Sequence, residues 1–120
     1  MMAEPTAWLI DEGRVLASAT VATSRATRRR GLRGSNDCPG ALVLPRCRWV
    51  HTIGMKYDLD VAYLDRENRV IKTVRMARHR LGAPVMGART VVESECGSFA
   101  RWGLKVGDTV EIRDNAGDVR

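Results

Sequence analysis

One stretch of the chain, Cys-Arg-Trp-Val-His-Thr-Ile-Gly-Met-Lys-Tyr-Asp-Leu-Asp-Val-Ala-Tyr-Leu from Cys47 to Leu64, limits the fold more than any other. Successive side chains of an extended segment point to opposite faces, so an extended Arg46 to Thr52 puts Cys47, Trp49 and His51 in one row and Arg48, Val50 and Thr52 in the other. Gly54 breaks that strand and Met55 to Asp58 form a connection. Leu59, Val61 and Tyr63 then alternate with Asp60, Ala62 and Leu64 in a second strand. Both of its faces are mostly apolar, which suits the middle of a sheet that is covered on both sides.

The flanking sequence supplies the partners. Trp8 to Ile10 and Arg14 to Val21 are apolar runs joined by Asp11-Glu12-Gly13, a hairpin signature. Thr23 or Ser24 can cap a short helix over Arg25 to Leu32, closed by Gly34. Ala41 to Leu44 reads as a buried strand ended by Pro45. After a turn at Asp65-Arg66-Glu67-Asn68, with Asn68 left-handed, Arg69 to Met76 has no cleanly apolar face and suits a sheet edge. Ala77 to Arg89 holds Gly82, Pro84 and Gly87 and reads as a long loop, either a binding element or a plain crossover. Thr90 to Glu93 is a strand, Ser98 caps one helical turn in which Phe99 and Trp102 share a face, and Gly103 stops it. Gly107-Asp108 turns the chain into a last strand, Thr109 to Arg113, before a frayed tail at 115–120. No internal repeat is visible. The expected fold is α+β: a single compact strand-rich domain over residues 1–120, with about seven short strands in a small barrel-like or mixed sheet and two short helices.

The order of these segments is similar to that of a known family. The run Cys47 to Val61 resembles the signature of the domain of unknown function 192 family, also called uncharacterised protein family 0127, which has the form Val-His-Thr-Phe-Gly-Met-Arg-Phe-Pro-Ile-Asp-Val. Arg30-Gly31-Leu32, the hairpin Asp65 to Val70, Val91-Val92-Glu93 followed by Gly97, and Gly103-Leu104-Lys105-Val106-Gly107-Asp108 resemble its other motifs in the right order. Asp58 stands where the family has proline, Asn68 where it has glycine, and Ser94-Glu95-Cys96 where it has Leu-Pro-Ala. The resemblance spans roughly residues 20 to 112 and implies a small strand-rich domain, without an activity.

Composition narrows the partners. The net charge is +6 in 120 residues, with 17 Arg against three Lys. Residues 21 to 50 carry seven arginines against Asp37 alone, and Arg69 to Arg80 is a second acid-free run. Such clusters suit phosphates. Few aromatic residues are present to stack on bases, so a solvated basic face is the stronger reading and arginine-dependent nucleic-acid binding ranks below it. The N-terminus lacks a basic n-region and no apolar run approaches a membrane span, so a soluble cytoplasmic protein with no membrane partner is expected.

The candidate chemistry centres on His51. Imidazole and sulfur suit copper or zinc, yet the Cys47-x3-His51-x3-Met55 spacing is no specific ligand signature, and neither a metal nor a cofactor is expected. Four residues along a strand separate Cys47 and His51 by roughly 13 Å, too far for a thiol and its base to pair directly. Asp60 either orients His51 as a dyad or binds turn amides, and the second is favoured. The best reading is a small-ligand binding module in which Cys47, Trp49, His51, Thr52, Met55, Asp60, Arg78 and Arg80 are the candidate ligand-binding residues. A small anionic or hydroxylated molecule is the expected ligand, and a monomer or weak dimer the expected state. The alternative is a small enzyme that uses His51 with Asp60 or a cysteine.

Three cysteines, Cys38, Cys47 and Cys96, lack any Cys-x-x-Cys spacing, which argues against a disulfide framework and a zinc knuckle. Thermal unfolding should therefore be cooperative, with the same midpoint in reducing buffer and in chelator; a melt abolished by either agent would refute this reading.

Overall fold

A computed structural model describes residues 6–22, 41–52 and 57–114. Strands β1 (Thr6–Asp11) and β2 (Arg14–Val21) form the expected antiparallel hairpin. Its turn holds Glu12 at φ 51° and Gly13 at φ 79°, left-handed at both positions, a geometry whose twist matches that of the flanking strands. Next come β3 (Ala41–Pro45), β4 (Leu59–Leu64), β5 (Val70–Met76), β6 (Thr90–Glu95), helix α1 (Ser98–Trp102) and β7 (Glu111–Asp114).

All seven strands join one mixed sheet in the order β5-β4-β6-β3-β2-β1-β7. The β2–β3 pair is parallel and the others are antiparallel. β5 is an edge strand, as its mixed pattern implies. Its turn also forms as expected: Asn68 has φ 62°, and Asp65 Oδ1 accepts from the Glu67 and Arg69 amides at 2.8 and 3.0 Å.

Three expectations need correction. The sheet is open rather than barrel-like, because the edge strands β5 and β7 form no ladder and meet only at an isolated Arg69–Thr109 bridge. Among the described residues there is one short helix, not two; the segment Arg25 to Leu32 lies outside them. Arg46 to Thr52 is not a ladder strand, since Arg46 turns the chain with φ 55° and only His51 bridges to Leu81.

The two faces of the sheet bury different sets. Leu59, Val61 and Tyr63 of β4 pack with Leu42, Leu44, Val50, Met76 and Val91. Ala62 and Leu64 pack on the other side with Val43, Val92, Phe99 and Ile112. All six residues of β4 are buried, which is the central position its sequence requires. The radius of gyration, 13.0 Å, is about that of a compact domain of this size.

Asp60 points to the helix side. Its Oδ2 accepts from the amides of Gly97 and Phe99, both at 3.0 Å, while Oδ1 sits 3.5 Å from Arg75 Nε. The cap of α1 is thus supplied from β4 and not by Ser98, whose hydroxyl instead accepts from Ser94 Oγ at 2.9 Å. Gly103 ends the helix at φ 69°, as expected. Asp60→Ala would leave two amides without an acceptor and loosen Phe99 in the core. The expected loss is about 2–3 kcal/mol of unfolding free energy, with a smaller loss for Asp60→Asn, measurable by chemical denaturation.

Candidate functional site

The segment Arg46 to Thr52 and the loop Ala77 to Arg89 lie together over the face that carries Tyr63. Backbone bonds lace them: His79 N to Thr52 O at 2.9 Å, Thr52 N to Arg80 O at 2.8 Å, Gly82 N to Val50 O at 2.9 Å, Val85 N to Arg48 O at 2.9 Å and Cys47 N to Arg89 O at 3.0 Å. Thr52 is fully buried between them. Its hydroxyl donates to Ala77 O at 2.6 Å and accepts from Arg80 N at 2.9 Å. It therefore has no donor left for a ligand, and serves to pin the loop.

Gly82 marks the closest approach. A Cβ there would lie 2.7 Å from Val50 O, 3.4 Å from Met76 Cε and 3.6 Å from the Tyr63 hydroxyl. No side chain fits against a backbone oxygen at that distance, so glycine is what lets the loop rest on the sheet. The Gly82 carbonyl also accepts from the indole N–H of Trp49 at 2.6 Å.

Trp49 and His51 stand together, with ring centroids 5.6 Å apart and planes tilted by 58°. Trp49 remains 42% exposed, whereas Val50 and Thr52 turn inward, so the alternation read from the sequence holds from Trp49 to Thr52 without a ladder strand. His51 Nδ1 is closed off from solvent and meets no hydrogen-bond partner among the described residues. Cys47 leaves this row: it packs against the inner cluster around Tyr63, and its thiol donates to Trp49 O at 3.1 Å. Arg78 N donates to Asp58 Oδ1 at 3.0 Å, and its guanidinium lies 3.8 Å from the same oxygen. Met55 lies outside the described residues. Asp60 is on the opposite face of the sheet, so the sheet separates it from the His51 segment.

Beside the laced segments is a groove of about 390 Å³. Tyr63, Val74, Met76, Leu81 and Gly82 provide its apolar lining, and Lys72, Arg75 and Arg80 also line it, with no acidic residue. The regular β4–β5 register sets Lys72 directly across from Tyr63, and a bulge follows between Tyr63 and Leu64. Of the candidates named from the sequence, the groove contains Arg80, and it adjoins Trp49 and His51 through Gly82 and Leu81.

Sequence reasoning missed Glu93. On β6 it pairs with Val61 and Leu42, which puts its side chain on the Tyr63 face, diagonally next to Tyr63. The residue is only 6% exposed, and no hydrogen bond or ion pair to its carboxyl is present among the described residues. Burial pushes its pKa from the ordinary 4.5 up to about 7. Burial also raises the Tyr63 phenol, and the charges of Cys47 and Glu93 add to that shift. The available signal was slight: a glutamate two residues after Val91, hence on the same face of the strand.

Comparison with known proteins places this arrangement in context. The family model DUF192, described as Uncharacterized ACR, matches residues 8–112. No curated protein matches the sequence. A crystal structure of a protein of unknown function from Novosphingobium aromaticivorans superposes with a TM-score of 0.72 at 19% identity, covering 89% of this chain and 83% of that one. A second, described as a "putative transcription regulator" from Sinorhizobium meliloti, gives 0.75 at 17% identity, covering 98% and 99%. At these identities the likeness concerns the fold.

The shift of Glu93 has a definite sign. A carboxyl whose folded pKa is raised adds stability below about 4.5 and loses it as pH rises through about 7. Glu93→Gln should gain on the parent protein by about 3 kcal/mol of unfolding free energy across that window. A difference between the two that does not change with pH would show that Glu93 titrates normally.

Proposed function

The chain belongs to the uncharacterised family DUF192, and we propose that within it this protein is a small-ligand binding module whose site is the groove between β4, β5 and the loop of residues 77–83. One observation carries this reading: three cationic side chains and no carboxylate line a concave surface whose remaining walls are largely apolar. The volume falls in the range of small-molecule sites, and apolar walls with a few polar groups are their usual composition. The ligand that fits is an anion with an apolar body. Lys72 and Arg80 neutralise its charge, while Tyr63, Val74, Met76 and Leu81 cover the body. Arg75 is the weakest contributor, since it also faces Asp60.

Trp49 and His51 form the outer shoulder of this site. The indole is tied to the Gly82 carbonyl and His51 to Leu81, so both fix the position of the loop that carries Arg80. The enzyme reading loses ground because Asp60 holds the helix cap on the opposite face and leaves His51 without that carboxylate.

A thermal-shift and calorimetric screen of aromatic sulfonates and carboxylates against neutral isosteres tests the proposal. Anions should stabilise the protein and the isosteres should not, with about 2.7 kcal/mol of stabilisation at a ligand concentration 100 times Kd. Lys72→Ala combined with Arg80→Ala should remove the shift and leave the ligand-free melt close to the parent's, because both side chains are exposed. Equal response to neutral isosteres, or a shift unchanged in the double variant, would contradict it. A short oligonucleotide serves as control and should not bind at physiological salt.

A further inference from the structure

Three neighbouring strands meet the same border of the sheet. Thr90 of β6 pairs with Pro45 of β3 on one side and with Leu64 of β4 on the other, so Arg46, Arg89 and Arg66 sit just beyond three adjacent strand ends. Neighbouring strands are about 4.8 Å apart, which brings those three ends within roughly 10 Å. Arg48 joins them from the covering segment, where its carbonyl accepts from Val85 N at 2.9 Å. Two adjoining hollows, of about 410 and 180 Å³, lie among these side chains and share Asp65, Arg66 and Arg89. Arg48 lines the larger and Arg46 the smaller.

Four guanidinium groups gathered in this way repel one another, yet none of them is salt-bridged to a carboxylate among the described residues. Two carboxylates are on the lining. Asp65 commits Oδ1 to the amides of Glu67 and Arg69, and Glu67 is exposed. The backbone beneath is fixed, since Cys47 N donates to Arg89 O at 3.0 Å and Arg89 N to Leu64 O at 2.8 Å. Arg46 also has φ 55°, a left-handed conformation that glycine or asparagine would adopt at less cost. Strain of this kind gathers at functional positions, and here it falls on one of the four arginines.

We propose that these hollows are a second anion site, separate from the groove, for a small molecule that carries a diphosphate or triphosphate group. The planar fork of a guanidinium matches phosphate oxygens two at a time. A chain of linked phosphates offers such oxygens along its length, as a row of arginines requires, whereas one orthophosphate is too short to reach all four. No aromatic side chain lines either hollow to stack on bases, so a nucleic-acid strand is the poorer occupant. The site stands whether or not the groove binds a ligand.

Calorimetric titration with inorganic tripolyphosphate, at physiological salt and without divalent cations, tests this. One equivalent should bind, at least tenfold more tightly than orthophosphate or sulfate. Arg66→Ala and Arg89→Ala should each weaken binding about tenfold, and Glu67→Gln should tighten it. Arg69→Ala, which removes an exposed arginine of the same turn that lines neither hollow, should bind as the parent does. Arg46→Gly should melt no lower than the parent and still lose affinity, which separates a ligand role from a structural one. Equal losses in Arg69→Ala, or sulfate that binds as well as tripolyphosphate, would reduce the effect to net charge and overturn the inference. Loss of binding in the Lys72→Ala, Arg80→Ala double variant would move the anion to the groove, and effective competition by a short oligonucleotide would make the face a nucleic-acid surface; either overturns it, as does the absence of tripolyphosphate binding.

Discussion

The burial of β4 on both faces is the constraint on which the rest of the molecule depends. A strand covered on both sides needs a layer above and a layer below, and the chain has few elements with which to build them. On one side α1 brings Phe99 and Trp102, whose rings lie 5.4 Å apart. On the other there is no helix among the described residues, only the irregular pair Arg46–Thr52 and Ala77–Arg89. Irregular backbone can cover a sheet only if its polar groups are satisfied locally. This explains why so many hydrogen bonds run between those two segments and why Thr52 is buried with all its polar atoms engaged.

That solution shapes the candidate site. A layer made of paired loops cannot pack as evenly as a helix, and the shortfall in cover over β4 and β5 is the groove. Gly82 and Thr52 hold its wall in place, and the β4–β5 register sets Lys72 across from the phenol. Site and scaffold are thus the same set of residues.

Much of the fold was legible in the sequence because the signals were local. The Glu12-Gly13 and Asn68 turns, the mostly apolar β4, the mixed pattern of β5 and the Gly103 stop each announce themselves within a few residues. The family signature around His51 lies next to the groove, whose lining includes Arg80 of the residues named from the sequence. What was not legible depended on register between distant strands. Nothing near Asp60 reveals that its carboxylate meets the amides of Gly97 and Phe99, or that strand alternation sends it to the face away from His51. Cys47 was set in a row with Trp49 and His51 by assuming a regular strand, and the left-handed turn at Arg46 broke that assumption. Glu93 was passed over as part of a family motif, since its burial follows from a pairing with Val61 that only the sheet order supplies.

The isolated contact between Arg69 and Thr109 bears on how the edges of the sheet are presented. β5 and β7 are the terminal strands of an open sheet, and such strands offer rows of unpaired amides and carbonyls to any passing chain. Here Val70 N reaches Asp108 O and Val110 N reaches Asn68 O, both at 2.8 Å. The two exposed borders are clasped to each other at one end, as a collar fastened by a single button. The rest of β5 carries Lys72 and Arg75, charges that resist a like-charged neighbour. One end of each border is thus occupied without the sheet closing into a barrel, and the charges on β5 disfavour a further strand there.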